Sequence, residues 1–231
     1  MKLPRKTKAQ KERAVEIMNE LYKDYPNPEC ELIHKNPFEL LIATILSAQC
    51  TDVRVNMVTP KLFELYPTPE LMSEAPIEDL EELVRTTGFY KNKARSLKEA
   101  STRLVQEYGG DVPRNMEDLL SLRGAARKTA NVVLGNAFGI NVGVVVDTHV
   151  KRLSNRFGLT KEKSNTDKIE RDLMALFPQD NWTDLSHLLI LHGRAHCKAR
   201  FSKAPDHPVC IHYGKKCECQ KMRAKEAKNN A

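Results

Sequence analysis

The sequence predicts an all-α fold. Three observations carry this reading: apolar residues recur at three- and four-residue intervals, period-two alternation is nearly absent, and Pro repeatedly falls where a first helical residue would sit. In chain order, Ala14, Val15, Ile17, Met18 and Leu21 share one stripe, so a basic N-terminal stretch runs into an amphipathic helix. Phe38 to Ala48 is apolar nearly all round, interrupted by Glu39, Thr44 and Ser47, and reads as a buried helix. Thr59-Pro60, Thr68-Pro69 and Ala75-Pro76 each predict the start of a short helix, the first two behind a capping Thr. Gly88 ends a helix and Lys91-Asn92-Lys93-Ala94-Arg95 opens the next. Gly109-Gly110 followed by Pro113 is a break. Asn115 with Asp118 three residues on predicts a capped start for Leu119-Leu120-Ser121-Leu122. One run, Val142 to Val146, reads by itself as a buried strand.

The chain has 231 residues, enough for one compact unit or two small domains with a core that needs no disulfides. Apolar residues make up 41% and charged residues 29%, and no apolar run approaches the roughly 20 residues of a membrane-spanning helix. Met1-Lys2-Leu3-Pro4-Arg5-Lys6 is basic but leads to no apolar segment, so no secretory signal is expected and the place of work is cytoplasmic, nucleoid-associated if the source is bacterial. The net charge of +7 is unevenly spread: residues 1–14 carry six Lys/Arg against one Glu, and residues 191–231 carry ten against three acids, so the middle is acidic. Basic ends fit either solvated tails or a surface facing a polyanion such as nucleic acid. The acidic cluster between Glu70 and Glu82 is most simply a solvated helix face.

Cysteine usage is uneven too. Cys30 and Cys50 stand alone, while Cys197, Cys210, Cys217 and Cys219 crowd into 23 residues. Without a secretory signal, such crowding points to metal ligation rather than disulfides.

The most informative segment runs from Leu119 to Leu134. An apolar helix end meets the small-residue turn Gly124-Ala125-Ala126, and a second helix starts near Arg127. Free N–H groups at that start form an anion site suited to a phosphodiester, although an ordinary helical corner has the same spacing. Lys128 falls in the first turn, at the positive end of the helix dipole and beside Arg127. Both favour the neutral amine that a nucleophilic lysine needs. Asp147 closes the apolar run and precedes an amphipathic helix, where it can cap and still be available for charge work.

These residues carry a resemblance. Leu122-x-Gly124-x-x-Arg127-Lys128-Thr129-Ala130-Asn131-Val132-Val133, then Val146-Asp147-Thr148-His149-Val150, then His192-Gly193-Arg194 and the cysteines, resemble the endonuclease III family of helix–hairpin–helix DNA glycosylases. Leu46-Ser47-Ala48-Gln49-Cys50-Thr51-Asp52 and Gly88-Phe89-Tyr90-x-x-Lys93-Ala94 match two further blocks, so the likeness runs in order from about residue 10 to 220. It implies a helix–hairpin–helix DNA glycosylase fold: a six-helix barrel domain over residues 30–141, and an iron–sulfur cluster domain formed by residues 1–29 and 142–231, with the flipped nucleotide in the cleft between them. Val142–Val146 then becomes the crossing between domains rather than a strand.

The resemblance also implies a bifunctional base-excision-repair DNA glycosylase and AP lyase that removes oxidised pyrimidines, acting as a monomer on double-stranded DNA with damaged bases or abasic sites. Lys128 matches the nucleophile and Asp147 the catalytic aspartate. Gln49 matches a residue inserted into the gap left by the extruded nucleotide, and Phe89 falls where the family usually has a Leu wedge. Asp52 lines the lesion pocket or caps a helix. Arg123, Gly124, Ala126 and Arg127 form the DNA-binding hairpin. Two departures fall there, because the family usually has Pro at 123 and Gly at 126. A methyl at 126 would push the phosphate outward or forbid a positive φ, and Arg123 would restore affinity by touching phosphate.

The cysteines depart further. The family has six, two and five residues between successive ligands, whereas here the intervals are twelve, six and one. Cys197, Cys210 and Cys219 take the first, second and fourth places. Tyr213 stands at the usual third, so Cys217 is its replacement. Four thiolates suit a [4Fe–4S] cluster, with zinc the rival. Lys198, Arg200 and Lys203 in the enlarged loop would face DNA phosphates, whereas His192 and His196 are core or supporting groups rather than ligands. The alternatives are a non-catalytic helix–hairpin–helix binding module, a monofunctional adenine-excising relative lacking the lysine, and a zinc-stabilised interaction domain.

Overall fold

The computed structural model describes residues 2–200, 206–214, 217, 220, 222 and 224. Among them the regular structure is helical throughout, and no strand is present. The chain divides into two compact units, one of residues 30–142 and one of residues 1–29 with 143–231.

In the unit of the termini, α1 (Lys8–Asp24) starts at a capping box in which Thr7 and Gln10 satisfy each other's backbone N–H groups. Its buried stripe is Ala14, Ile17, Met18 and Leu21, which packs on α10 (Thr166–Leu176), α11 (Trp182–Ala195) and α12 (Pro208–Tyr213). Helix α9 (Thr148–Arg156) packs on α10 and α11. Phe157, Trp182, Leu188 and Leu189 fill the shared core.

The other unit is built around α2 (Pro37–Leu46), in which every residue from Phe38 to Leu46 is buried. That includes Glu39, whose carboxylate accepts the Lys35 N–H at 2.7 Å while its own N–H is capped by Asn36, so a buried acid is tolerated at the positive helix end. Around it lie α3 (Asp52–Leu65), α6 (Tyr90–Tyr108) and α8 (Arg127–Phe138). The short helices α4 (Pro69–Glu74) and α5 (Ile77–Leu83) pack on α6, and α7 (Met116–Ser121) on α8.

Two local expectations are corrected. Pro60 starts no helix: it lies inside α3, which is already capped by Thr51. Buried Val55, Thr59 and Leu62 hold that helix together despite the one backbone bond that proline forfeits. Val142–Val146 is not a strand either. Val142 packs on the core of residues 30–142, whereas Val144 and Val146 pack on the core of the termini, and the Val145 N–H donates to Ser186 Oγ at 3.1 Å. The segment is apolar because it leaves one core and enters another. Thr68 and Asn115 do cap α4 and α7, while Ala75-Pro76 leads into α5 at Ile77. No helix among the described residues is long and apolar enough to cross a membrane.

Candidate active site and cysteine loop

The hairpin corner joins α7 to α8. Leu122 is buried, and Gly124 turns the chain with φ +86. A side chain there would be strained by its φ, and its Cβ would come within 3.0 Å of Ser96 Cβ and 3.1 Å of Ile45 Cγ2, so glycine is strongly favoured. Ala126, by contrast, is extended at φ −85 and ψ 172, a conformation open to any residue. The expectation that a methyl at 126 collides with a required positive φ is therefore corrected, because the left-handed turn is made wholly at Gly124. Ala126 offers no side-chain cap, so the first-turn N–H groups of α8 are left for an anion. Lys128 presents its side chain on the exposed face of this turn, and Arg127 is half-buried.

Arg123 is engaged within the protein. Its Nη1 donates to Glu99 Oε1 at 2.7 Å and its Nη2 to Asn92 Oδ1 at 3.2 Å, both on α6. A side chain thus ties the corner to α6 where the family has a proline.

Gln49 and Phe89 are the non-glycine residues with positive φ among the described residues, at φ 54 and 48, and both are exposed. Each costs about 1–3 kcal/mol of backbone strain. Phe89 is 67% exposed, which excludes a core role. Its turn is braced from below: Lys93 is buried and its Nζ donates to the Thr87 carbonyl at 2.7 Å, with burial pushing the amine's pKa down. Gln49 leaves α2 just before Thr51 caps α3, and Asp52 begins that helix. Both strained residues are held by the ends of well-packed helices.

Asp147 caps α9, accepting the Val150 N–H on Oδ1 at 2.7 Å. One turn on, α9 carries Arg152 and Arg156, whose i,i+4 spacing puts them on one face. Arg152 donates from Nε (3.1 Å) and Nη2 (2.9 Å) to the Cys197 carbonyl, and also to the Gly193 carbonyl. Arg156 Nη1 reaches Cys197 Sγ at 3.1 Å and the Lys198 carbonyl at 2.7 Å. A Cβ on Gly193 would meet His149 Nδ1 at 2.8 Å and Arg152 Nη2 at 3.0 Å, so this glycine lets α9 and α11 approach. The two arginines were missed in the sequence, although their spacing on α9 was visible there.

Cys197, Cys210 and Cys217 are buried and adjoin one another, and the Cys197 thiol's pKa is raised, first by Cys210. Cys219 and Lys203 lie outside the described residues, while Lys198 and Arg200 are exposed. Among the described residues no three His, Cys, Asp or Glu side chains converge at single-ion spacing. Three adjoining soft sulfur donors nonetheless suit a thiophilic centre such as an iron–sulfur cluster. Tyr213 faces Arg13 of α1: the guanidinium lies 5.7 Å from the ring centroid and donates to the Tyr213 carbonyl at 3.1 Å. At the loop's base, His207 Nε2 is 3.0 Å from Asp24 Oδ2. This pair could not have been read from the sequence, since it depends on the path of the enlarged loop.

Residues 42–179 match the model of the HhH-GPD superfamily base excision DNA repair proteins, which defines the class. An endonuclease III of Synechocystis sp. is 54% identical over 198 residues, covering 86% of this chain and 90% of the relative. That of Bacillus subtilis is 44% identical over 185 residues, covering 80% and 84%. A solved non-covalent endonuclease III–DNA complex superposes with a TM-score of 0.85 at 42% identity, covering 93% of this chain and 98% of the other. A trapped endonuclease III–DNA covalent intermediate gives 0.83 at 43% identity, covering 89% and 97%. The chain belongs to the endonuclease III family within that superfamily.

Proposed function

We infer that the chain excises oxidised pyrimidines from double-stranded DNA and nicks the resulting abasic site. It is a bifunctional DNA glycosylase and AP lyase of base excision repair. The observation that carries this reading is Lys128, a primary amine on the exposed face of an uncapped helix N-terminus entered through Gly124. The N–H groups of that turn, with Arg127, hold phosphate, and the electrostatic term makes affinity fall steeply with salt.

Each chemical step then has a group. The Lys128 amine attacks C1′ of the damaged nucleotide, the C–N glycosidic bond breaks, and the base leaves with the electron pair and a proton. The sugar ring opens to a Schiff base on Nζ. Loss of a C2′ proton then expels the 3′ phosphate by β-elimination, and water releases the lysine. Asp147 accepts a proton from the attacking amine and stabilises positive charge developing on the sugar. A monofunctional relative needs no primary amine, and a binding module needs neither residue.

Gln49 and Phe89 fill the space vacated by the flipped nucleotide. Their strained backbones set both side chains outward in advance, so DNA binding need not order them. Phe89 offers a ring that stacks on a base where a leucine could only wedge. Lys198 and Arg200 add phosphate contacts, and the protein works as a cytoplasmic monomer.

Cys197, Cys210, Cys217 and Cys219 are proposed to hold a [4Fe–4S] cluster, which when bound cross-links the loop at four points. Arg152 and Arg156 fix the first of those points through the Cys197 carbonyl and sulfur. The experiment is a reaction with duplex DNA containing one oxidised pyrimidine. Strand scission 3′ to the lesion, without added base or heat, is expected. Base release that leaves an intact abasic site would overturn the lyase assignment.

A further inference from the structure

The excision chemistry leaves one fully buried imidazole unused. His192 on α11 is 0% exposed, its Nε2 lies 3.2 Å from Cys210 Sγ, and its Nδ1 has no hydrogen-bond partner. A ligating cysteine is a thiolate, with lone pairs and no proton to give. Only a donor can face it favourably, so the His192 proton belongs on Nε2. On Nδ1 it would be a buried donor without an acceptor, and the Nε2 lone pair would oppose the sulfur.

The surroundings hold the ring in that orientation. The His207 ring packs edge-on at 4.6 Å between centroids, the His196 ring lies at 5.4 Å, and those two are 4.4 Å apart. His207 is fixed at both nitrogens, by Asp24 Oδ2 at Nε2 and by the Val209 N–H, which donates to Nδ1 at 3.3 Å. The segment that carries His207 belongs to the twelve-residue interval that enlarges the cysteine loop. That interval therefore carries a clamp onto the imidazole beside Cys210.

We propose that His192 is a positioning residue for the iron–sulfur cluster, donating Nε2–H to the Cys210 thiolate as Arg156 donates to the Cys197 thiolate, with His207 pinning the ring there. The proposal rests on the cluster reading above. A hydrogen bond to a ligating sulfur draws electron density from the cluster and favours its more reduced state. It also holds the sulfur in place against loss of iron, an effect for which outer partners of metal ligands typically account for about 10–100-fold in affinity.

The test compares anaerobically purified holoprotein with His192→Leu, which fills the space without a donor, and His192→Gln, whose amide nitrogen can occupy the Nε2 position. The readouts are reduction potential by protein-film voltammetry without DNA, and the rate at which visible absorbance is lost to an iron chelator. The expected result is a more negative potential and about 10-fold faster loss in His192→Leu, or no recoverable cluster at all, with His192→Gln close to wild type. If the Leu and Gln variants behave alike, in either direction, the donor is not the operative feature and the inference is overturned. Wild-type protein without a visible cluster band would overturn the cluster reading itself, a result distinct from an intact wild-type spectrum with matching variants.

Discussion

The hairpin corner at Leu122–Lys128 and the cysteine loop that begins at Cys197 both depart from the family pattern, and each absorbs its departure differently. In the corner, the groups left for a ligand are main-chain N–H groups. One residue, Gly124, makes the left-handed turn, and the space for a side chain there is closed by Ser96 and Ile45. Positions 123 and 126 need no left-handed backbone: Ala126 is extended, and Arg123 ties the corner to Glu99 and Asn92. In the loop, the notable feature is a set of adjoining buried cysteine side chains. Spacing changes at every interval, yet Cys197, Cys210 and Cys217 adjoin, because Arg152, Arg156 and the Asp24–His207 pair support the altered path. A corner set by the backbone thus keeps its turn through changes away from its one special dihedral, while a cluster of side chains keeps its sulfurs together through changes in spacing when its supports adapt.

Asp147 shows how far geometry and chemistry separate. Asn caps a helix about as well as Asp, so Asp147→Asn should leave thermal stability nearly unchanged while excision falls by about 10²–10⁴-fold. Single-turnover kinetics beside a melting curve check this, and equal losses in both would reduce Asp147 to a cap.

Within the corner, Gly124→Ala should destabilise by about 1–3 kcal/mol and weaken DNA binding. Ala126→Gly should not destabilise and should add up to about 1 kcal/mol, since Ala126 is an N-cap and Gly is preferred to Ala there. Urea denaturation of the two variants breaks the comparison if their effects are similar. A smaller effect is expected for Arg123, whose pair with Glu99 is solvent-exposed. A double-mutant cycle with Arg123→Ala and Glu99→Ala should give a coupling of about 0.2–1 kcal/mol. If Arg123 trades Glu99 for phosphate on binding DNA, Arg123→Ala also lowers the salt slope by about one. An unchanged slope leaves it as a brace alone.

The smallest effect concerns the loop before α10. The Glu162 carboxylate accepts the N–H groups of Ser164, Asn165 and Lys163, which hold its pKa down to about 2 from the ordinary 4.5. A depressed carboxylate contributes stability above its unfolded value and loses it as pH falls through the folded one. The stability gap between wild type and Glu162→Gln should therefore shrink from pH 4.5 towards 2. A gap independent of pH contradicts the assignment.

Local chemistry was legible in the sequence wherever one residue decides the outcome. Asn115 and Asp147 cap the helices expected of them, and the turn at Gly124 leads into a helix at Arg127. Thr59-Pro60 misled, because a capping signature was outweighed by burial of Val55, Thr59 and Leu62 along a helix begun earlier. The valines of 142–146 misled because apolarity reports burial and not the secondary structure that achieves it. The strained backbones of Gln49 and Phe89 were not legible, since no residue type signals a left-handed φ there. Nor was the contact between His192 and Cys210, which depends on the path of a loop with no repeat or period.

On the proposed reading the hairpin, with both its departures, still presents Lys128 for covalent chemistry. Sodium borohydride added during reaction with DNA containing an abasic site tests this directly, because it reduces a Schiff base to a stable amine. A covalent protein–DNA band is expected in the wild type and should disappear in Lys128→Ala while DNA binding persists. An intact band in Lys128→Ala, or none in a wild type that binds the same DNA, would contradict it.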